Sequence, residues 1–436
     1  MALPSRAPAD SGARMSSTPP GMLLTPVARW SALFILFLVT TSSYFDYYVL
    51  SVVLEPIKRE FAVSDTLLGL LGGFSFAALY SVTAVPVARW ADRGNRRTII
   101  TVALVGWSVM TALGGLARSF WQLVVARVGV GMVEPGAVPP AQSLVADYFP
   151  PERRGTASSL LNAGSAAGYL VGIGLGGYIA ARLGWRMAFV IAGLPGLVLA
   201  AVVRFVVPEP RTRLGFPTEA TQEGWRQSLQ HLRHNRTYVA ALAGASLYTI
   251  FSFGSGIFLP SFMLRDLHAT LAQISGAWAI AISAATLIGS IVGGRLVDAL
   301  VKRDIRWYGW LPAVACALGA PLYWAALATH SVELFIALDF VAELILAIGL
   351  SVSFAIAHTV CGSVRRTQAI ALLQLSFMLV GAGFGPLVAG ALSDLLYSIS
   401  GESSLRYSLL IMVSVLLPAA TAFYRSGCTL PGDVED

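Results

Sequence analysis

The chain is punctuated by apolar runs, each long enough to cross a bilayer, and that pattern leaves little choice of fold. A membrane-spanning helix needs about 20 predominantly apolar residues. Twelve runs qualify: 30–54, 66–87, 98–117, 120–146, 155–180, 187–207, 238–263, 271–298, 309–329, 332–358, 367–392 and 405–424. Only 12% of the residues are charged, half of the roughly 25% usual in a soluble domain. The chain therefore reads as an all-α integral membrane protein with twelve transmembrane helices.

The runs fall into two sets of six. Between them lies a polar stretch, 208–237, which begins with Pro208, Pro210 and Pro217. It continues with Trp225, Leu229 and Leu232 at helical spacing, the pattern of an amphipathic helix lying in the membrane interface. The expected organisation is a disordered tail rich in Pro, Ala and Ser (1–28), a six-helix bundle (29–207), a linker (208–237), a second six-helix bundle (238–425) and a short tail (426–436). A cleaved signal peptide is not expected, because the first apolar run is too long and no small-residue cleavage site follows it.

The formal net charge is +7, but the positive charges form no patches with interleaved aromatics, so nucleic acid is not an expected partner. They track topology instead. If both termini are cytoplasmic, 22 of the 30 Lys and Arg residues fall in cytoplasmic segments and seven in outer ones: Lys58, Arg59, Arg118, Arg182, Arg186, Arg265 and Arg406. That bias follows the positive-inside rule and predicts a multi-pass protein of the cell (inner) membrane with both termini in the cytoplasm. The remaining basic residue, Arg127, has no loop to occupy.

Arg127 belongs to a trio. Asp46 lies in the run Trp30–Leu54, and Arg127 and Glu134 lie in Phe120–Val145. A charge at bilayer depth costs a few kcal/mol or more, so such residues usually face a cavity and carry function. Arg127 and Glu134 are seven residues apart, which separates them by roughly 10 Å along one helix face. Each is therefore expected to meet something on a facing helix, and the first span brings Asp46. A buried carboxylate is pulled between desolvation and a nearby cation, which suits proton uptake and release. Asp46 and Glu134 are the candidate proton carriers. Arg127 is the candidate counter-ion and holder of an anionic headgroup. The bland alternative is an ion pair that only locks helices.

The second half offers less. Asp339 and Glu343 sit one turn apart in the tenth run; Asp339, near the outer end, is expected to be solvated, and Glu343 is a candidate lining residue. Tyr248, Phe251 and Phe253 in the seventh run, with Gln374 in the eleventh, are further candidates for an amphiphile path, against the commoner role of packing. Gly164, Gly168, Gly172 and Gly176, and a second group, Gly381, Gly383, Gly385, Pro386 and Gly390, have the small-residue pattern that lets helix backbones approach closely.

The two halves repeat. After the second run comes Ala88-Arg-Trp-Ala-Asp92-Arg93-Gly-Asn95-Arg96-Arg97, and after the eighth Gly294-Arg-Leu-Val-Asp298-Ala-Leu-Val-Lys302-Arg303. Two six-span halves with matching loops imply an internally duplicated transporter. The first of these loops resembles the loop 2–3 signature of the major facilitator superfamily. The stretch Arg127-Val-Gly-Val-Gly131-Met-Val-Glu134-Pro-Gly136, running on to Asp147 and Arg153-Arg154, is similar to the fourth span of its bacterial spinster-like branch. Gly385-Pro-Leu-Val-Ala-Gly-Ala-Leu-Ser-Asp394 is similar to the eleventh. Where that branch usually has Asp-Arg in the first span, this chain has Asp46-Tyr47.

The resemblance implies two pseudo-symmetric six-helix bundles around a central cavity, alternating access, and proton-coupled transport of a sphingolipid, lysophospholipid or other amphiphile by a monomer. It also implies a cytoplasmic gate. Asp92 would cap a helix of the facing half, Arg96 would pair with Asp147, and Arg93 and Arg97 would complete the basic cluster, unless these arginines only enforce topology. A small organic anion or drug is the alternative substrate, and a non-transporting membrane sensor the alternative function. No cofactor is expected beyond the coupling proton. There is no Gly-x4-Gly-Lys-Ser/Thr loop for ATP. Three scattered cysteines (Cys316, Cys361, Cys428) and five scattered histidines show no metal spacing, and no nucleophile constellation supports an enzyme.

Overall fold

The computed structural model describes residues 25–210, 225–350, 356, 359–360 and 366–433. Among them there are helices and turns and no strands. The membrane-crossing helices are α1 (Pro26–Phe61), α2 (65–93), α3 (Arg96–Gly115), α4 (120–148), α5 (Pro151–Leu183) and α6 (Trp185–Val206) in one half. The other half holds α7 (Arg236–Arg265), α8 (271–301), α9 (Trp307–Ala328), α10 (Val332–Leu350), α11 (366–400) and α12 (404–433). A short linker helix, Trp225–His234, precedes α7. It buries Leu232, while Leu229, expected on the same apolar face, is exposed.

Helix ends carry ordinary caps. Thr25 accepts from the Ala28 N–H at the start of α1, and Asn235 accepts from the Tyr238 N–H at the start of α7. These two helices are equivalent in the two halves, and other features repeat in the same way. Both α2 and α8 carry one π-helical turn near the start, at Leu70–Phe74 and Ile274–Trp278. Arg186 at the start of α6 holds Glu60 at the end of α1 at 2.6 Å, and Arg406 at the start of α12 holds Asp266 just beyond α7 at 3.2 Å. The internal repeat seen in two loops thus extends to caps, π turns and ion pairs.

Within a half, small residues set the helix spacing. A Cβ on Gly168 of α5 would lie 2.5 Å from Tyr44 Cβ and 2.6 Å from the Thr41 carbonyl oxygen of α1. The glycine row of α5 therefore packs against α1 in its own half. The α11 glycines do both jobs. Gly385 lies against Gly254 of α7, and Gly390 lies against the Asp65 backbone of α2, in the other half.

The last helix corrects the expected boundary. The sequence expects the last apolar run to stop at 424 and a tail to begin at 426, but α12 runs to Asp433. Asp433 accepts from the N–H and the hydroxyl of Thr237, both at 2.8–2.9 Å. These bonds hold the last turns of α12 against the beginning of α7, where Leu430 is also buried.

Candidate functional site

The intramembrane trio converges on α1. Asp46 is 2% exposed and Arg127 5%. Arg127 Nη1 donates to Asp46 Oδ2 at 2.8 Å, and Nη2 donates to the Asp46 backbone carbonyl at 3.0 Å. Thr111 of α3 donates to the other carboxylate oxygen of Asp46. The guanidinium also lies over the Phe189 ring of α6, 5.5 Å from its centroid. Four helices therefore hold one ion pair. Breaking such a buried pair by removing one partner costs about 3–5 kcal/mol, because the other charge is left uncompensated.

Glu134 takes a different partner. It is buried and accepts a hydrogen bond from Ser43, one turn before Asp46 on α1. Arg127 and Glu134 thus both reach α1 and do not meet each other, as their spacing predicts. The local fold helps. At Glu134–Gly136 the α-helix tightens into a 3-10 turn and then resumes at Val138, because Pro135 lacks an N–H and clashes with the preceding turn. Interruptions of this kind inside membrane helices are tolerated where the protein buries them.

Around the trio lies an aromatic layer. Tyr47, in the place of the expected arginine, packs against Tyr48 and Phe76 of its own half and reaches Phe253 of α7 with ring centroids 6.1 Å apart. Tyr48 packs on Tyr169 of α5 at 4.3 Å. Phe253 therefore lies between the halves, whereas Phe251 is buried against Tyr323 within the second half. Tyr248 is 4% exposed and lines a small internal gap with Pro312, Cys316 and Phe423 within the second half. Gln374 is exposed. Glu343 is partly exposed and accepts from Thr286 of α8 and Tyr323 of α9. Asp339, expected to be solvated, is fully buried, because Trp278 of α8 covers it and donates to it at 2.6 Å.

At one end of the molecule Arg96 is 0% exposed. It pairs with Asp147 at 2.6 Å as expected, but Glu209 just beyond α6 is an equal partner. Glu209 accepts from Arg96 Nη2 at 2.7 Å and from the Arg96 backbone N–H at 2.8 Å, so it also satisfies the start of α3. Arg97 donates its backbone N–H to the same carboxylate. Ser143 accepts from Arg96 Nη1. This cluster lies wholly within the first half. The side chains of Asp92 and Arg93, the other members of the expected gate, fall outside the described residues.

The opposite end holds a network that sequence reasoning missed. Arg265 of α7 grips Asp65 with two nitrogens, at 2.8 and 2.9 Å, and Glu55 of α1 with a third at 2.6 Å. Lys58 adds 2.7 Å to Asp65, and Ser393 of α11 donates to Asp65 at 2.7 Å. Asp394 of α11 accepts from the backbone N–H groups of Asp65 and Thr66 at 2.9 and 2.8 Å, placing a carboxylate on the positive end of α2. Both halves contribute, so this is a latch between them. Lys58 and Arg265 counted in the sequence only as loop charges. The signal available was Ser64-Asp65 beginning one apolar run and Ser393-Asp394 ending another.

Comparison with known proteins decides the family. Residues 36–328 match the family described as Major Facilitator Superfamily. The chain belongs to the major facilitator superfamily. It is a multi-pass membrane transporter and not an enzyme. It is 33% identical over 421 residues to an MFS-type efflux pump of Mycolicibacterium smegmatis, covering 94% of this chain and 95% of that one. A bacterial homologue of the human lysosomal transporter spinster, solved in an inward-facing and unoccupied conformation, superposes with a TM-score of 0.85 at 25% identity. That match covers 95% of this chain and all of the other. The zebrafish (Danio rerio) sphingosine-1-phosphate transporter SPNS2 is 24% identical over 405 residues, 86% of this chain and 79% of its own length. The spinster likeness read from the fourth and eleventh spans therefore holds over the whole fold.

Proposed function

We propose that this protein is a proton-coupled transporter that moves an amphiphile by alternating access, with Glu134 as the coupling acid. The observation that carries this reading is the division of labour at α1. Asp46 is neutralised by Arg127, while Glu134, which meets α1 one turn away at Ser43, has a neutral hydroxyl as its partner. An ionised carboxylate without a cation is expensive there, so Glu134 holds a proton until the site opens to water. An anionic headgroup arriving at Arg127 shares the guanidinium with Asp46, which brings the substrate close to the protonated Glu134; the guanidinium itself is always charged and takes up no proton.

The arrangement described is the inward-facing one in this proposal, with both termini and the Arg96 cluster in the cytoplasm. The contacts between halves support it. They occupy the parts of the helices nearer Asp65, from Gly390 on Asp65 to Gly383 near Ala77 and from Gly177 of α5 on Ser275 of α8. The latch at that end closes the outer gate. Opening it while the Asp92 end closes would turn the site outward. The amphiphile reading rests on the relatives: a spinster homologue shares the fold, and a sphingosine-1-phosphate transporter aligns over most of the chain at 24% identity. The efflux-pump relative supports outward movement. The aromatic layer of Tyr47, Tyr48, Phe76 and Phe253 beside the Asp46–Arg127 pair offers an apolar surface next to a charge, which suits a tail and a headgroup.

The test is transport by purified protein in proteoliposomes with an imposed pH gradient, using a fluorescent lysophospholipid and fluorescent sphingosine-1-phosphate as probes. The proposal expects gradient-driven movement of at least one probe, competed by unlabelled lipid and not by a small dicarboxylate. Movement of neither probe, or displacement by the dicarboxylate alone, contradicts the amphiphile reading.

A further inference from the structure

We infer that Asp339 and Glu343 of α10 form a second proton-binding site, in the half of the molecule that carries none of the trio. This rests on the reading of the chain as a proton-coupled transporter and adds a site to it. The two acids are four residues apart on one helix and so share a face. Asp339 is fully buried, and Trp278 of α8 donates its indole N–H to Oδ2 at 2.6 Å. Glu343 accepts from the Tyr323 hydroxyl of α9 at 3.1 Å and lies 3.2 Å from the Thr286 hydroxyl of α8, whose one proton is shared between Glu343 and the Ile282 carbonyl at 3.0 Å. Three donors from two neighbouring helices are thus aimed at the pair, which makes it a built site and not a chance clustering.

All three donors are neutral. No Lys, Arg or His forms an ion pair with either acid among the described residues. The titratable groups that face the pair are phenols: Tyr323 of α9, Tyr248 of α7, and Tyr169 and Tyr48 of the other half, each within electrostatic reach of Glu343. Contrast Asp46, where a guanidinium lies at 2.8 Å. Two carboxylates one turn apart in a membrane-spanning helix, one fully and one partly buried and neither with a cation, cannot both be ionised at tolerable cost. A proton supplies the missing positive charge. Asp339 Oδ1 is buried and has no hydrogen-bond partner of good geometry, and it is the oxygen that the three donors leave for that proton.

The site is also placed to respond to rocking. The helix that supplies Trp278 and Thr286 is the one whose Ser275 packs against Gly177 of α5 across the boundary between halves. Glu343 is the partly exposed member of the pair. A shift of α8 relative to α5 therefore moves the donors and changes the exposure of Glu343 together.

Difference infrared spectroscopy in the carboxylic-acid carbonyl region tests this on the purified full chain in lipid nanodiscs. The variants are Asp339→Asn, Glu343→Gln and, as a reference for the first half, Glu134→Gln. The expected result is a protonated-acid component at neutral pH that is lost in Asp339→Asn, shifted or lost in Glu343→Gln, and kept in Glu134→Gln. If Asp339→Asn fails to fold, Trp278→Phe leaves the acid in place and shifts its component by removing the indole donor. A signal unchanged in both Asp339→Asn and Glu343→Gln overturns the proposal. So does loss of the component on adding sodium chloride at constant pH, which would make the pair a sodium site. If the component behaves as expected but transport ignores a pH gradient, the coupling reading fails while the proton site stands.

Discussion

At the residue scale, the partner of each buried charge decides what its removal does. Asp46→Asn leaves Arg127 uncompensated, so it should cost about 3 kcal/mol of stability, read as a lower unfolding midpoint in detergent. Glu134→Gln should cost far less, under about 1 kcal/mol, because a neutral amide can replace a protonated acid beside Ser43. Equal losses in the two variants would contradict the assignment of ionised and protonated acids. The three charges were legible in the sequence because charge is rare in an apolar run. Ser43 and Thr111 were not, since a hydroxyl in a helix can satisfy itself on its own backbone and leaves no pattern. Asp339 was misjudged because its distance from the loop suggested water, whereas burial depended on Trp278, sixty-one residues away in the chain.

At the element scale, glycines report how closely helices approach, and their spacing was plain in the sequence. Which helix each row faces was not, because small residues fit any neighbour equally well. The structure separates the rows: Gly168 serves the α1–α5 contact inside a half, and Gly390 serves the α2–α11 contact between halves. The expected outcomes differ accordingly. A Cβ at Gly390 would stand 2.1 Å from the Asp65 carbonyl oxygen, so Gly390→Val should disfavour closure at that end without unfolding either bundle. Gly168→Val should lower stability by roughly 1–3 kcal/mol through overpacking. Distance measurements between spin labels, paired with thermal unfolding, distinguish the two effects. The break in α4 at Glu134-Pro135-Gly136 could be anticipated from proline beside glycine, whereas the π turns of α2 and α8 contain glycine (Gly72, Gly73 and Gly276) without proline, which does not set them apart from the other helical glycines.

At the scale of the molecule, the twelve runs, the 6 + 6 division and the duplicated loops were enough to give the architecture. The latch was invisible because its members come from α1, α2, α7 and α11, and only the packed halves bring them together. Each charge-assisted hydrogen bond contributes about 1.5–3 kcal/mol, and 1.4 kcal/mol is a factor of ten in a population. Arg265→Ala should therefore shift the balance away from the arrangement closed at Asp65 by about tenfold or more, seen as longer spin-label distances across α2 and α11. Asp394→Asn should act in the same direction and less strongly. Glu209→Gln, inside one half, should lower stability without moving that balance.

The central claim is that Glu134 carries the coupling proton while Asp46 and Arg127 stay paired. It is tested most directly in proteoliposomes by comparing two modes of movement of the fluorescent lysophospholipid in wild type and Glu134→Gln. One mode is uphill accumulation driven by a pH gradient, and the other is counterflow exchange with lipid on both sides and no gradient. The account predicts that Glu134→Gln loses accumulation and keeps exchange. Accumulation at the wild-type level in Glu134→Gln would contradict it.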